Sequence, residues 1–412
     1  MLGIFTSPHP SIYAIINAVI LMNLKVIKYD DLGNGIAKID NKVCFVEKAM
    51  PNELVNVKVI KDNKKYSVGL INSVIESNPY RIESICRYYN KCGGCNFLHM
   101  DLEEEKRFKV DRTINYFNKI DFFYSTLSSS YRNKITLHVK NGEIGLYNTK
   151  SNDLVIINYC YLCKDRINDV INIIKEKKDI DFNGSIIIRV NSNNEVILVI
   201  NGKYKYIDYI KEKDIINNII YNSKVIKGKD YFIEEISSYK FKVNYNSFFQ
   251  VNILGLEKII EILNNFLVNK KINIALDLYS GTSVLGIIIS KYVNKVISIE
   301  SNSYATNDAR ENIKLNNVDN LEIINGLVED NIEKFKDIDL VIVDPARNGL
   351  DKKTINYLNN LNSKYIIYIA CGIDSLKRDI KLLTNYNINN IYAIDMFPRT
   401  RHCESIVLLE LK

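Results

Sequence analysis

Residues Ala275–Gly286, ALDLYSGTSVLG, carry the fold of this 412-residue chain. They read as a strand ending at Asp277, a turn around Gly281 and a helix beginning near Ser283. Such a turn lets a ligand approach backbone N–H groups at a helix N-terminus. The following β-rich run, KVISIE, ends at Glu300, nineteen residues after Gly281. An acidic side chain there is placed to accept hydrogen bonds from a ribose diol. From about residue 240 onward, IALDLY, KVISIE, LEIIN, DLVIVD, YIIYIA, IYAID and SIVLLEL alternate with helical segments. This alternation predicts a doubly wound α/β sheet. A Rossmann dehydrogenase is the competing reading, but it carries a fuller G-x-G-x-x-G, and Ser283 stands where one glycine would be.

Three more runs bring polar groups to the same edge. In an open α/β sheet the C-terminal ends of the strands face the ligand crevice. Asp344, in DPARNGL, follows the run LVIV, and Cys371 follows YIIYIA and precedes Gly372. The segment DMFPRTRHCE places His402 and Glu404 between the last two strands. A lone cysteine is ordinarily a small buried hydrophobe. At an edge that already holds Asp277, Glu300 and Asp344, it reads as a reactive group.

Residues 24–82 hold about five short β-rich runs with Gly and Pro punctuation, the pattern of a small β-barrel. An SH3-like structural module and an oligonucleotide-binding barrel fit it equally. Residues 101–119 are acidic first and basic later, the order that suits a helix dipole. Residues 131–235 mix hairpin strands with a helix over RINDVINIIKEKK. Ahead of them Cys86–Cys95, CRYYNKCGGC, holds three cysteines in ten residues. From spacing alone, a CxxC pair with distant cysteines points to zinc.

The chain is 47% hydrophobic and 25% charged, a globular composition with room for more than one domain. A net charge of +7 is compatible with nucleic acid without requiring it. Eight clustered cysteines favour a metal site or chemistry over a secreted disulfide framework. The apolar run Ser11–Met22 is shorter than the roughly 20 residues that span a bilayer. No Lys or Arg precedes it, so the charged start of a signal peptide is missing. Residues 1–21 therefore read as a dispensable or non-native extension ahead of Met22. The protein is expected in the cytoplasm, with no membrane partner.

The set CxxxxxCGGC, FFQVN, ALDLYSG, DPARNGL, YIACG and DMFPRTRHCES resembles the RNA uracil-5-methyltransferase family from about residue 24 to 412. The likeness is greatest to the iron–sulfur, TRAM-domain branch that modifies 23S ribosomal RNA. It implies a TRAM, OB-like barrel over 24–82 and a mixed α+β central domain with a metal cluster over 83–239. It also implies a Rossmann-like class I S-adenosyl-L-methionine methyltransferase domain over 240–412. Residues 97–122 are expected to pack on that last domain.

The resemblance also implies the chemistry. Cys371 matches the nucleophile that attacks C6 of uracil, and an active thiolate implies a lowered pKa. Glu404 matches the base that removes the C5 proton, and Asp344 the aspartate between cofactor and base. Gln250, Tyr279, Gly281, Glu300 and Asp344 match cofactor-contacting positions. Cys86, Cys92, Cys95 and Cys160 match the ligands of a [4Fe–4S] cluster, with Cys163 the competitor for the fourth place. The target uridine must leave its stack to reach Cys371. Phe248 and Phe249 are candidates to stack on RNA or to lie in the core. Arg132 and Lys134 are candidates to contact phosphate or to form a solvated hairpin.

The implied enzyme is a monomer acting on 23S rRNA. Methylation of a tRNA T-loop uridine is the alternative substrate. A non-catalytic iron–sulfur RNA-binding protein is the rival of another class.

Overall fold

A computed structural model describes residues 21–412. The expected N-terminal extension lies outside the described residues, except for Leu21, which opens the first strand. The chain divides between Arg81 and Ile82 into two compact units.

The first unit is a six-stranded sheet rather than five strands. The run LKVIKYD splits at Val26–Ile27 because it changes partners. Leu21–Lys25 pairs antiparallel with Leu54–Lys58, whereas Lys28–Tyr29 pairs with Gly35–Ile36. These two pieces lie at opposite ends of the strand order, so their continuity closes the sheet into a barrel. Leu24, Val26, Ala37, Cys44, Val46, Val55 and Val57 fill its core. At Gly35 a Cβ would lie 2.7 Å from Val26 Cγ1, so the strand there requires glycine. Glu53 is buried and paired with Arg81, which also donates to the Lys48 carbonyl at 2.7 Å.

The second unit contains two large sheets. Leu154–Ile156, Glu143–Tyr147, Lys134–Lys140, Gly184–Val190, Val196–Asn201, Asn218–Tyr221 and Lys224–Lys227 form a seven-stranded sheet in that order. The helix Asp165–Lys175 turns Ile167, Val170, Ile171 and Ile174 onto it. A hairpin follows, Tyr231–Ile236 with Tyr239–Asn244, and spans residues 239 and 240. Its outer edge pairs with no other strand among the described residues. Asp308 and Asn312 on the helix Ser303–Leu315, and Asn316 at its C-cap, four residues apart in turn, accept from Asn244, Lys242 and Lys240 N–H at 2.7, 2.6 and 2.9 Å. One helix face thus satisfies every second amide of an edge strand.

The other sheet has eight strands, Leu321–Asn325, Val293–Glu300, Ile272–Leu278, Leu340–Val343, Tyr365–Ala370, Glu404–Leu411, Tyr386–Asp395 and Phe122–Ser125, in that order. The first five are parallel, and Glu404–Leu411 runs antiparallel to both of its neighbours. LVIV at 340–343 is buried throughout, as a parallel strand covered on both faces must be.

The eighth strand is supplied by residues preceding the central sheet, and residues 96–117 pack beside it. Helix Leu102–Phe117 is capped by Asp101, which accepts from Glu104 N–H, and its first turn is acidic. Lys109, 0% exposed, donates to Glu105 at 2.6 Å and to Asp395 at 2.8 Å. No helix among the described residues is long and apolar enough to cross a membrane.

Candidate active site and cysteine pocket

Strand register builds the edge. Ala370 pairs with Ser405, which sets Cys371 beside Glu404 across the antiparallel step. Val343 pairs with Leu278 and with Tyr368, so Asp344 emerges between Tyr279 and Ile369. One cavity is lined there by Phe248, Gln250, Asp277, Tyr279, Gly281 and Asp344, with Leu256, Ile259 and Ile369 as apolar wall. Four of the expected cofactor residues therefore meet in it.

Glu300, the fifth, does not line the cavity. It anchors the turn instead, accepting Gly281 N–H at 2.9 Å and Asn302 N–H at 2.7 Å. The turn is tightly wound, with Tyr279, Gly281 and Ser283 at φ 62°, 56° and 58°. Ser283 thus takes the left-handed conformation that glycine would adopt without strain. Its Oγ, 2.8 Å from Ser298 Oγ, is held in return. Gly286 has no such freedom to vary. A Cβ there would fall 2.5 Å from Ser283 Oγ and 2.8 Å from Asp277 Oδ2.

The electrostatics are set by burial. Desolvation pushes Asp277 up to about 7, although it accepts from Gly286 N–H at 3.0 Å and Ser298 Oγ at 3.1 Å. Asp344 is likewise pushed to about 7 by desolvation. Glu404 is raised by burial and by the Asp344 charge, while Arg347 pulls it down. Cys371 overturns the expectation of a lowered pKa. Desolvation and the neighbouring Glu404 push its thiol up, and Arg347 opposes them by charge and by a side-chain hydrogen bond. Arg347 lies three residues beyond Asp344 in DPARNGL, where sequence reading assigned it no role. Ser375 Oγ donates to its carbonyl at 2.9 Å, and Arg378 donates to Asn348 O at 2.8 Å, pinning the loop beside Cys371. His402 is lowered to about 4 by desolvation and by Arg347, so it is neutral near pH 7.

The two phenylalanines part company. Both line the cavity, but Phe248 is 65% exposed, whereas Phe249, 5% exposed, packs into the core behind it. The loop that carries them is held from three sides. Arg189 donates to Asn244 O at 3.0 Å and Ser247 O at 2.9 Å; Asn133 Nδ2 donates to Gln250 O at 3.1 Å; Ser247 Oγ donates to Asp308 at 2.6 Å.

Cys86, Cys92, Cys95 and Cys160 line a second cavity with Arg132, Leu98, Leu146, Ile157 and Leu162. Cys163 does not line it. That residue is fully buried in the central core and hydrogen-bonds Cys160. Among the described residues, no group of three His, Cys, Asp or Glu side chains is arranged to hold a metal ion. Arg132 is half-buried rather than fully solvated: it lines the cysteine cavity, and its Nε is inaccessible to solvent there. Lys134 is partly buried, and desolvation lowers it to about 8.

The family to which the sequence matches makes the chain an RNA methyltransferase. Its relatives include uncharacterized RNA methyltransferases of Clostridium acetobutylicum, 30% identical over 93% of this chain and 95% of theirs, and of Aquifex aeolicus, 28% identical over 92% and 96%. The chain belongs to the tRNA (uracil-5-)-methyltransferase family, whose sequence model matches residues 58–412, and a TRAM domain matches residues 22–71. The fold is shared with the crystal structure of Pyrococcus abyssi tRNA (uracil-54, C5)-methyltransferase in complex with S-adenosyl-L-homocysteine. That similarity has a TM-score of 0.79 and 24% identity, over 94% of this chain and 100% of that one.

Proposed function

We propose that this protein methylates C5 of a specific uridine in 23S rRNA through a covalent Cys371–C6 adduct. The observation that carries this reading is the meeting of Cys371, Glu404, Asp344 and Arg347 beside the Gly281 cavity. S-adenosylmethionine, bound there, supplies an electrophilic methyl group. The cavity fits it: an acidic floor at Asp277 and Asp344 suits a cation, and apolar walls suit an adenosine.

Cys371 loses its proton to solvent, and Arg347 offsets the charge of the thiolate. The sulfur then bonds to C6, and the C5–C6 π electrons move toward C5 and O4. The electron-rich C5 takes the methyl group as the bond from that group to the cofactor sulfur breaks, the electron pair staying on sulfur. Glu404 removes the remaining C5 proton, the double bond reforms, and the bond from sulfur to C6 breaks. Asp344 orients the base, Gln250 and Tyr279 line the cofactor and target space, and exposed Phe248 is placed to stack on RNA.

Cys86, Cys92, Cys95 and Cys160 would hold a [4Fe–4S] cluster, as an all-cysteine set facing one cavity suits. Its contribution would be structural, tying the central sheet to the cysteine segment. A tRNA uridine is the second reading, favoured by the fold shared with a tRNA enzyme. Mapping 5-methyluridine in both RNAs from cells lacking and regaining the gene decides between them. A site that vanishes only from 23S rRNA supports the first reading, and one that vanishes only from tRNA replaces it.

A further inference from the structure

We propose that Arg132 is a working part of the cysteine site, donating to the sulfur-bound group and offsetting its negative charge. This rests on the metal reading above. Arg132 lines the same cavity as Cys86, Cys92, Cys95 and Cys160. Its Nε is buried and has no hydrogen-bond partner among the described residues. A buried guanidinium donor left unmatched is costly, and native folds rarely leave one without a reason. Sulfur ligands supply that reason: four thiolates around a dication leave a net charge of roughly −2. Cys163, Cys160 and Cys95 all lie within electrostatic reach of the guanidinium.

The backbone fixes this placement. Arg132 N–H donates to Leu162 O at 2.8 Å, and its carbonyl accepts Lys164 N–H at 3.0 Å. Cys163 N–H closes the turn onto Cys160 O at 3.1 Å, so one turn sets both Cys160 and Arg132. On either side, Tyr131 OH donates to Pro398 O at 3.1 Å, and Asn133 N–H donates to Val251 O at 2.9 Å. The segment cannot swing outward to meet RNA without breaking these bonds.

The test compares wild type, Arg132→Met and Arg132→Lys, all full-length and purified without oxygen. Iron and zinc content, visible absorbance and the rate of metal loss to a chelator are measured. Arg132→Met should release metal roughly tenfold faster than wild type, as loss of an outer-shell partner does. Arg132→Lys, which keeps the charge but not the planar fork, should fall between them. In an iron-loaded protein the midpoint potential of Arg132→Met should also move to more negative values. Equal release rates and potentials in a loaded wild type and its variants overturn the proposal while leaving the metal reading intact. So does a change confined to RNA affinity. A wild type free of both iron and zinc overturns the metal reading and this proposal together. If Arg132→Met fails to fold, Arg132→Lys decides by the same measurements.

Discussion

Cys371 and Glu404 come from strands whose ends are more than thirty residues apart, yet the Ala370–Ser405 pair puts them side by side. The proposed nucleophile and the proposed base therefore share one β-sheet step. Cys371→Ala should abolish methyl transfer while leaving RNA binding largely intact, as measured by filter retention. Glu404→Gln should stop the reaction after methyl transfer and accumulate an RNA–protein adduct that survives denaturing electrophoresis. Turnover by the first variant, or no adduct with the second, would remove these roles.

Arg347 is the counterweight to burial at Cys371. Arg347→Met should push the thiol higher still, because the charge and hydrogen bond that oppose burial are lost. Alkylation of Cys371 by iodoacetamide at pH 7 then slows roughly tenfold. Methyl transfer should weaken, with its profile moved toward alkaline pH, and Arg347→Lys should restore part of both. An unchanged alkylation rate in a folded variant contradicts the assignment.

The acidic floor of the cavity makes cofactor binding pH-dependent. Burial raises both Asp277 and Asp344 to about 7, so they are ionised above that pH and protonated below it. The sulfonium of S-adenosylmethionine favours the ionised forms. Its affinity should fall as pH drops from 8 to 6, by up to about tenfold per unit for each carboxylate that must ionise. S-adenosyl-L-homocysteine carries no sulfonium and should respond less. Calorimetric titration of both ligands checks this, and parallel pH profiles would contradict it.

Lys109 is a structural cation. It lies between Glu105 and Asp395 with no solvent exposure, and Asp395 precedes the loop that leads to Glu404. Lys109→Met leaves two buried carboxylates facing a methyl group and should cost about 3–5 kcal/mol in urea unfolding. The loss should shrink at acidic pH, where those carboxylates take up protons. A loss below about 1 kcal/mol, the range of an exposed pair, would contradict this role.

Gly286 tests the packing under the cofactor turn. Gly286→Ala drives a Cβ against Ser283 Oγ and Asp277, an overpacking that costs typically 1–3 kcal/mol. Thermal melting and cofactor affinity should both decline, and a neutral substitution would show that the turn can shift.

Much of the edge is legible in the chain because a parallel strand announces its own end. Asp277, Glu300, Asp344 and Cys371 each terminate or follow a short apolar run, and a doubly wound sheet collects such positions on one side. Fold class, barrel and cysteine segment follow from equally local patterns. Other features depend on what packs opposite, and no local period encodes that. Adjacent Phe248 and Phe249 look alike in sequence, but one faces solvent and the other the core. The tertiary fold alone brought Arg132 to the cysteine cavity, placed Arg347 beside Cys371 and brought Phe122–Ser125 to the edge of a distant sheet. It also raised the Cys371 thiol, because desolvation depends on the neighbours a residue acquires on folding and not on those beside it in the chain.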